Sequence, residues 1–127
     1  MTWAEAEAYC KRLTWDSVQG HLASVHSEEE HNFIFNRGNG KENLWLGGHD
    51  THKEGHYVWS DGTAFSYQNW GNGEPNNGQG QWQEDCISIN YNGRKWNDIP
   101  CSEKNKFVCK LTRKGTVPLP PIVLWTF

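Results

Sequence analysis

Three short clusters of oxygen-bearing side chains lie in the second half of this 127-residue chain. They are Glu74-Pro75-Asn76, Glu84-Asp85 and Trp96-Asn97-Asp98. Carboxylates and carboxamides suit calcium, which takes about six to eight oxygen ligands, whereas the set is too oxygen-rich for zinc and too crowded for magnesium. Any one cluster alone is equally typical of a turn. The hypothesis of a calcium site therefore depends on all three clusters occurring together around a pair of cysteines.

The cysteines determine whether these clusters can meet. Cys10, Cys86, Cys101 and Cys109 contain no close C-x-x-C pair, which argues against a zinc site. Four cysteines allow three disulfide pairings, and disulfides indicate an oxidising compartment, so we expect a secreted or extracellular protein. A bond between Cys86 and Cys101 would bring Glu84-Asp85 close to Asn97-Asp98.

Two helices and several short strands must position the clusters. Capping boxes at Thr2 with Glu5 and at Ser27 with Glu30 predict two early helices, the second ending at Gly38. After Asn39 the pattern changes to short β-prone runs, at 44–46, 57–59, 86–89 and 107–111. The segment 67–84 is rich in Gly, Asn and Gln and predicts a long functional loop. The tail 115–127 is predicted to be a proline-rich spacer followed by a strand at 122–127.

Charge and composition exclude several classes of function. The net charge is −3 and no basic stripe is present, so we expect no nucleic-acid partner. No apolar run approaches the roughly 18 residues of a membrane span. Because no signal peptide is visible before Thr2, we expect either that such a segment was trimmed or that the sequence is a fragment. Three histidines and five basic residues are predicted to be solvated rather than to form sites: His49, His52, His56, Lys104, Lys106, Lys110, Arg113 and Lys114.

Enzymatic activity is not expected. Glu74 and Glu84 could serve a glycosidase as paired carboxylates, but both are assigned to the metal. No Ser/His/Asp or Cys/His arrangement is visible in the sequence.

The chain resembles the C-type lectin domain from Thr2 to about Leu111. The resemblance is carried by the three clusters, the four cysteines and five further stretches: 2–6, 20–25, 45–48, 59–62 and 69–70. It implies an α+β, C-type lectin-like fold, with two helices packed on small antiparallel sheets and a long calcium-binding loop. It also implies two nested disulfides, Cys10–Cys109 and Cys86–Cys101, and a cis peptide before Pro75.

The same resemblance sets the expected domain limits. Residues 1–112 would form the lectin domain and 113–127 a proline-rich tail. The strand that usually precedes the first helix of the family is missing, so we expect the strand at 122–127 to occupy that vacant edge beside the last strand of the domain.

The resemblance implies calcium as cofactor and a glycan or glycoprotein as partner. The sugar-binding calcium would be held by Glu74, Asn76, Glu84, Asn97 and Asp98, and a second calcium by Asp50, Glu54, Asn77 and Asp85. Vicinal equatorial hydroxyls of mannose, GlcNAc or fucose would coordinate the first ion, because Glu-Pro-Asn resembles the mannose type. Trp82 either contacts the sugar or anchors its loop. Homo-oligomers would supply avidity, and the alternative is calcium-dependent protein or ice binding on the same fold.

Overall fold

Two helices form where the sequence supplies their caps. In the computed structural model, which describes residues 1–15, 17–38, 42–74, 86–90, 92–111 and 123–126, helix α1 spans Trp3–Lys11 and helix α2 spans Glu28–Arg37. The Thr2 side chain and the Glu5 carboxylate each accept a hydrogen bond from the other's backbone N–H, which confirms the first capping box. Ser27 caps α2, but the Glu30 carboxylate accepts from the N–H of His26 rather than from that of Ser27.

Nine short strands account for the β-structure of the described residues. They are β1 Thr14–Trp15, β2 Val18–Gln19, β3 His21–Leu22, β4 Leu44–His49, β5 Val58–Trp59, β6 Cys86–Ile89, β7 Trp96–Ile99, β8 Lys106–Leu111 and β9 Val123–Thr126. Strands β1 and β2 form a separate hairpin, and the others form one sheet with the order β3-β8-β4-β6-β7. Strand β5 also pairs with β4, and β9 with β8.

The main sheet is mixed rather than wholly antiparallel. Strand β4 runs antiparallel to β5 and β6 but parallel to β8, with Leu44 opposite Lys106 and Trp45 opposite Phe107. The prediction of small antiparallel sheets therefore holds for every strand pair of the main sheet except β4 and β8. In the strand order of this sheet, β8 lies between β3 and β4.

Two apolar clusters lie on the sheet. One packs α2 against Trp59, Trp96 and the aliphatic residues of β4 and β6. The other packs α1 against Trp45 and Phe107, and it contains both half-cystines of the Cys10–Cys109 disulfide. The second disulfide joins Cys86 to Cys101, so the two bridges are nested as expected.

The tail contributes a strand to the sheet. β9 lies antiparallel to β8, with Val123 opposite Leu111 and Thr126 opposite Val108. Residues 112–122 and 127, which include Arg113 and Lys114, lie outside the described residues.

Two surface predictions were wrong. His49 was expected in solvent but is only 8% exposed, because its ring packs 5.1 Å from that of Trp3. Lys110 was expected on a solvated strand face but is 2% exposed and forms an ion pair with Glu30. The other described members of those two groups, at positions 52, 56, 104 and 106, are exposed as predicted. No described helix is long and apolar enough to cross a membrane.

Candidate functional site

The backbone of Trp96 joins two of the predicted ligand clusters. Its N–H donates to the Asn69 carbonyl at 2.9 Å, and its own carbonyl accepts from the N–H of Gly71 at 2.9 Å. The Gly71 carbonyl in turn accepts from the N–H of Glu74 at 3.0 Å, which closes a tight turn. Gly73 in this turn has a φ of +78°, which a residue without a Cβ adopts readily. Glu74 is thus held on a turn fastened to the residue that precedes Asn97.

The third cluster lies on β7, beside β6. Asn97 is opposite Ser88 and Asp98 is opposite Ile87 in this antiparallel pair. β6 begins at Cys86, whose disulfide partner Cys101 follows the end of β7. The bridge therefore fixes the start of β6 close to the end of β7. Glu84-Asp85 directly precedes the start of β6 in the chain.

The side chains of β7 alternate between buried and half-buried positions. Trp96 and Asp98 are buried, whereas Asn97 is half-buried. The Asn97 Oδ1 atom has no solvent contact and no hydrogen-bond partner within the described part of the chain. Asp98 is 1% exposed, and its Oδ2 accepts a hydrogen bond from the Tyr57 hydroxyl at 3.1 Å. A buried carboxylate and a buried amide oxygen are each costly unless a donor or a cation satisfies them.

Aromatic rings pack around the side chain of Trp96, which directly precedes Asn97 on β7. The Trp96 indole is completely buried, and four aromatic rings lie with their centroids between 5.5 and 6.2 Å from it: Trp59, Phe65, Tyr67 and Trp70. In three of these contacts the angle between the ring planes is between 77° and 83°. This edge-to-face arrangement is favourable for ring quadrupoles. The aromatic cluster makes the base of the site rigid.

Asp50 and Glu54 of the second predicted ligand set also influence Tyr57 electrostatically. Asp50 follows β4, is 2% exposed and accepts a hydrogen bond on Oδ2 from the Gly55 N–H at 2.8 Å. Burial, followed by the negative charges of Asp98, Asp50 and Glu54, raises the pKa of the Tyr57 hydroxyl. Tyr57 therefore stays protonated, and it is influenced by carboxylates from both predicted ligand sets.

The structure describes only part of each predicted ligand set. Glu74, Asn97 and Asp98 of the first set and Asp50 and Glu54 of the second are described. Six other predicted features lie outside the described residues: Pro75 with its cis peptide, Asn76, Asn77, Trp82, Glu84 and Asp85. Among the residues that are described, no three His, Cys, Asp or Glu side chains are grouped closely enough to hold a metal ion.

Two residues of the site were missed by the sequence analysis. Tyr57 had been recognised only as part of a β-prone run, and His31 only as a position in the second helix. His31 hydrogen-bonds the indole of Trp96. No local pattern signals either contact, because both partners are at least 41 residues away in the sequence.

Comparison with known proteins gives concordant matches. A family model described as the lectin C-type domain matches residues 1–111. A protein named lectin from Pleurodeles waltl is 39% identical over 116 residues, covering 87% of this chain and 64% of its own length. The galactose-specific lectin nattectin from Thalassophryne nattereri is 39% identical over 113 residues, covering 86% of this chain and 67% of its own length.

A solved structure shares the fold. The C-type lectin CEL-I from Cucumaria echinata superposes with a TM-score of 0.80 at 33% identity, covering 88% of this chain and 84% of that one. The chain thus spans about two thirds of the relatives it matches in sequence and most of this structural neighbour.

Proposed function

The chain belongs to the C-type lectin domain family, and on that premise we propose that it is a carbohydrate-binding domain that holds its sugar through a bound calcium ion. The family is one of lectins rather than of enzymes. The proposal needs a ligand set rich in oxygen, and the described residues allow that to be tested.

The observation that carries the proposal is the side-chain oxygen of Asn97, which no described residue satisfies. Its Oδ1 is buried and accepts no hydrogen bond within the described part of the chain, although unsatisfied buried amide oxygens are rare and cost about 1–3 kcal/mol. A calcium ion would satisfy this oxygen, and the neighbouring Asp98 would supply negative charge. The donor set therefore fits calcium.

We assign the first calcium to Glu74, Asn76, Glu84, Asn97 and Asp98. When bound, the ion supplies coordination sites at which two adjacent sugar hydroxyls replace water. The side chains provide the rest of the recognition, because a carboxylate only accepts hydrogen bonds whereas an amide nitrogen can donate. Each hydroxyl can then donate to a Glu or Asp and accept from an Asn. The Tyr57 hydroxyl would hold Asp98 in place from behind.

The sugar is proposed to be of the mannose type. Glu74-Pro75-Asn76 supports equatorial vicinal hydroxyls, as in mannose, GlcNAc or fucose. The relative nattectin is named as galactose-specific, so galactose is the competing ligand. Trp82 is proposed to contact the sugar, which an unchanged order of monosaccharide inhibitors in Trp82→Ala would contradict.

A second calcium is proposed at Asp50, Glu54, Asn77 and Asp85. The buried Asp50 carboxylate and its proximity to Tyr57 support a cation there. Calorimetry should therefore give two binding events, whereas a clean single-site isotherm would remove this ion from the proposal.

The partner is proposed to be an extracellular glycan or glycoprotein. The two disulfides support an oxidising compartment. A single sugar site binds weakly, so several copies of the domain would raise the avidity. Residues 1–112 are proposed as the binding unit, with the tail as an added structural strand.

The deciding experiment is retention on immobilised mannose in calcium, followed by EDTA. Retention with release by chelator is the expected result, and Asn97→Ala should flow through. Asn92→Ala is the matched control, because Asn92 is exposed in the turn between β6 and β7. Retention on immobilised galactose but not on mannose would replace the proposed mannose-type specificity with galactose specificity. Failure to bind any sugar of a glycan array would overturn carbohydrate binding in favour of a protein or ice ligand.

A further inference from the structure

His31 is a buried histidine with two hydrogen bonds, one at each ring nitrogen. It lies on α2, is 2% exposed, and its Nδ1 is 3.1 Å from the indole Nε1 of Trp96. Its Nε2 is 2.9 Å from the backbone carbonyl of Arg94. Arg94 itself has a φ of +60°, unusual for a residue with a Cβ.

These partners determine the protonation state of the ring. An indole N–H can only donate, so Nδ1 of His31 must be an acceptor and carries no proton. A carbonyl can only accept, so Nε2 carries the proton. The two contacts are thus satisfied together only by the neutral imidazole with its proton on Nε2. A second proton, on Nδ1, would meet the indole N–H head-on and break that hydrogen bond.

The indole that His31 holds belongs to the residue on which the site is assembled. The Trp96 backbone binds Asn69 and Gly71, and so fastens the turn that carries Glu74. Asn97 and Asp98 follow Trp96 directly on β7. From this connection, which rests on the proposed function, we propose that His31 is a positioning residue for the calcium site: neutral, it holds Trp96 and keeps the ligands in register, and protonated, it releases Trp96 and weakens calcium and sugar binding.

The groups around His31 together disfavour the protonation of its ring. Burial first, and then the positive charges of Lys95 and Arg94 on the β6–β7 turn, lower its pKa below the ordinary 6.5. The Arg94 carbonyl and Glu28 on α2 act in the opposite direction. Tyr67, whose ring lies 5.8 Å from that of Trp96, is a neutral phenol in this pH range, and burial raises its pKa further. The ring is therefore neutral at neutral pH, and its contact with Trp96 is intact there.

The test compares calcium affinity with and without a titratable ring. Calorimetry at about pH 7.5 and about pH 5.5 would be run on the whole chain and on His31→Gln, since glutamine keeps an amide oxygen and an N–H but does not titrate in this range. The wild-type chain should lose about tenfold more affinity between the two pH values than His31→Gln, which is the scale of an outer-shell contact. His56→Gln, at an exposed loop position, should behave as the wild type.

A second readout needs neither metal nor sugar. In the calcium-free wild-type chain, the NMR signal of the Trp96 indole N–H should shift with the same midpoint as the His31 ring protons. A merely structural histidine that never gains a proton in the fold would not move this signal.

The outcomes separate the two proposals. If the wild-type chain binds calcium and His31→Gln shows the same pH dependence, or if the Trp96 signal does not titrate, the positioning role is wrong and the lectin proposal stands. If the wild-type chain binds no calcium at about pH 7.5, the proposed function fails and the positioning role fails with it.

Discussion

The ammonium nitrogen of Lys110 lies 2.6 Å from Oε2 of Glu30, and the two side chains are 2% and 14% exposed. The same ammonium donates to the backbone carbonyl and the hydroxyl of Ser24, each at 3.1 Å. Ser24 then donates to the Asp61 carboxylate. A lysine on β8 thus connects the first turn of α2 to the segment that follows β5.

Lys110→Met should destabilise the domain strongly. Removing one member of a buried ion pair leaves the other charge without compensation, which costs about 3–5 kcal/mol. Urea denaturation would measure the loss. Lys106→Met is the control, because Lys106 pairs with Glu42 at 3.3 Å with both side chains more than half exposed, and such pairs contribute about 1 kcal/mol or less. Equal losses in the two variants would contradict the role of the buried pair.

The two disulfides should differ in what their removal damages. Cys86→Ala with Cys101→Ala opens a loop of sequence separation 15 and should cost about 3 kcal/mol. It should also weaken calcium binding, because the bridge fixes the ends of β6 and β7. Cys10→Ala with Cys109→Ala, at a separation of 99, should cost more stability, about 4–5 kcal/mol.

Calorimetry on the folded fraction of each variant would separate the two effects. An unchanged calcium affinity in the Cys86/Cys101 variant would show that the ligand strands need no covalent bridge. A comparable loss of calcium affinity in the Cys86/Cys101 and Cys10/Cys109 variants would mean that the affinity merely follows the stability of the domain.

Tyr57→Phe should lower calcium affinity about tenfold by removing the hydroxyl that donates to Asp98. Calcium titration by calorimetry is the measurement. Tyr67→Phe serves as the control, because Tyr67 packs on Trp96 in the same apolar cluster as Tyr57 but has no hydroxyl hydrogen bond in the described part of the chain. If both variants bind calcium as the wild type does, the Tyr57 contact has no part in holding the ligand.

The calcium-free domain should lose stability as the pH falls from about 7 to about 5. The pKa of His31 is lowered from 6.5 by burial, so the unfolded chain binds the proton more readily than the folded one. Stability therefore rises with pH in this window and is lost as the pH drops through 6.5 towards the folded-state pKa. Denaturation midpoints would show a shallower slope in His31→Gln, and an identical slope would exclude His31 as the cause.

Deleting residues 117–127 should lower the thermal midpoint sharply. The deletion removes β9 and leaves the outer edge of β8 unpaired from Val108 to Leu111. Thermal denaturation followed by circular dichroism would measure the change. A midpoint equal to that of the whole chain would show that the tail adds nothing to the stability of the domain.

The helices were accessible from the sequence because their signals are local, whereas the nested disulfide pairing followed from the family resemblance and not from the cysteine spacing. Thr2 with Glu5 and Ser27 with Gly38 define helix ends through hydrogen bonds within one turn. Strand β6 was predicted at its full length, since its run Cys86–Ile89 is uniformly apolar apart from Ser88.

Strand β4 was predicted too short because of its glycines. The predicted run ended at Leu46, since Gly47-Gly48 disfavours a strand when considered alone. The glycines are needed for close packing: a Cβ on Gly47 would lie 2.6 Å from the Leu22 carbonyl oxygen, and one on Gly48 would lie 2.3 Å from Cδ1 of Ile87. The partners that require this are distant in the chain, so the local sequence does not reveal them.

The site was only partly predictable for the same reason. Asn97 and Asp98 have poor strand propensity, so β7 was not expected, although β6 and the Trp96 backbone hold it in place. The burial of Lys110 and the hydrogen bonds of His31 and Tyr57 arise from tertiary packing. Residue type supports the proposed metal-binding chemistry, but it does not reveal the side chains that contact the proposed ligands.

The Cys10–Cys109 bridge also has a mechanical consequence. It joins α1 to β8 covalently, and the segments bearing Glu74, Asn97 and Asp98 lie between the two half-cystines in the chain. Tension applied to the chain on either side of the domain would pass through the sulfur–sulfur bond and bypass those segments. The segments that carry the proposed ligands would remain unloaded while the flanking chain is stretched, under pulling forces that would unravel an unbridged sheet.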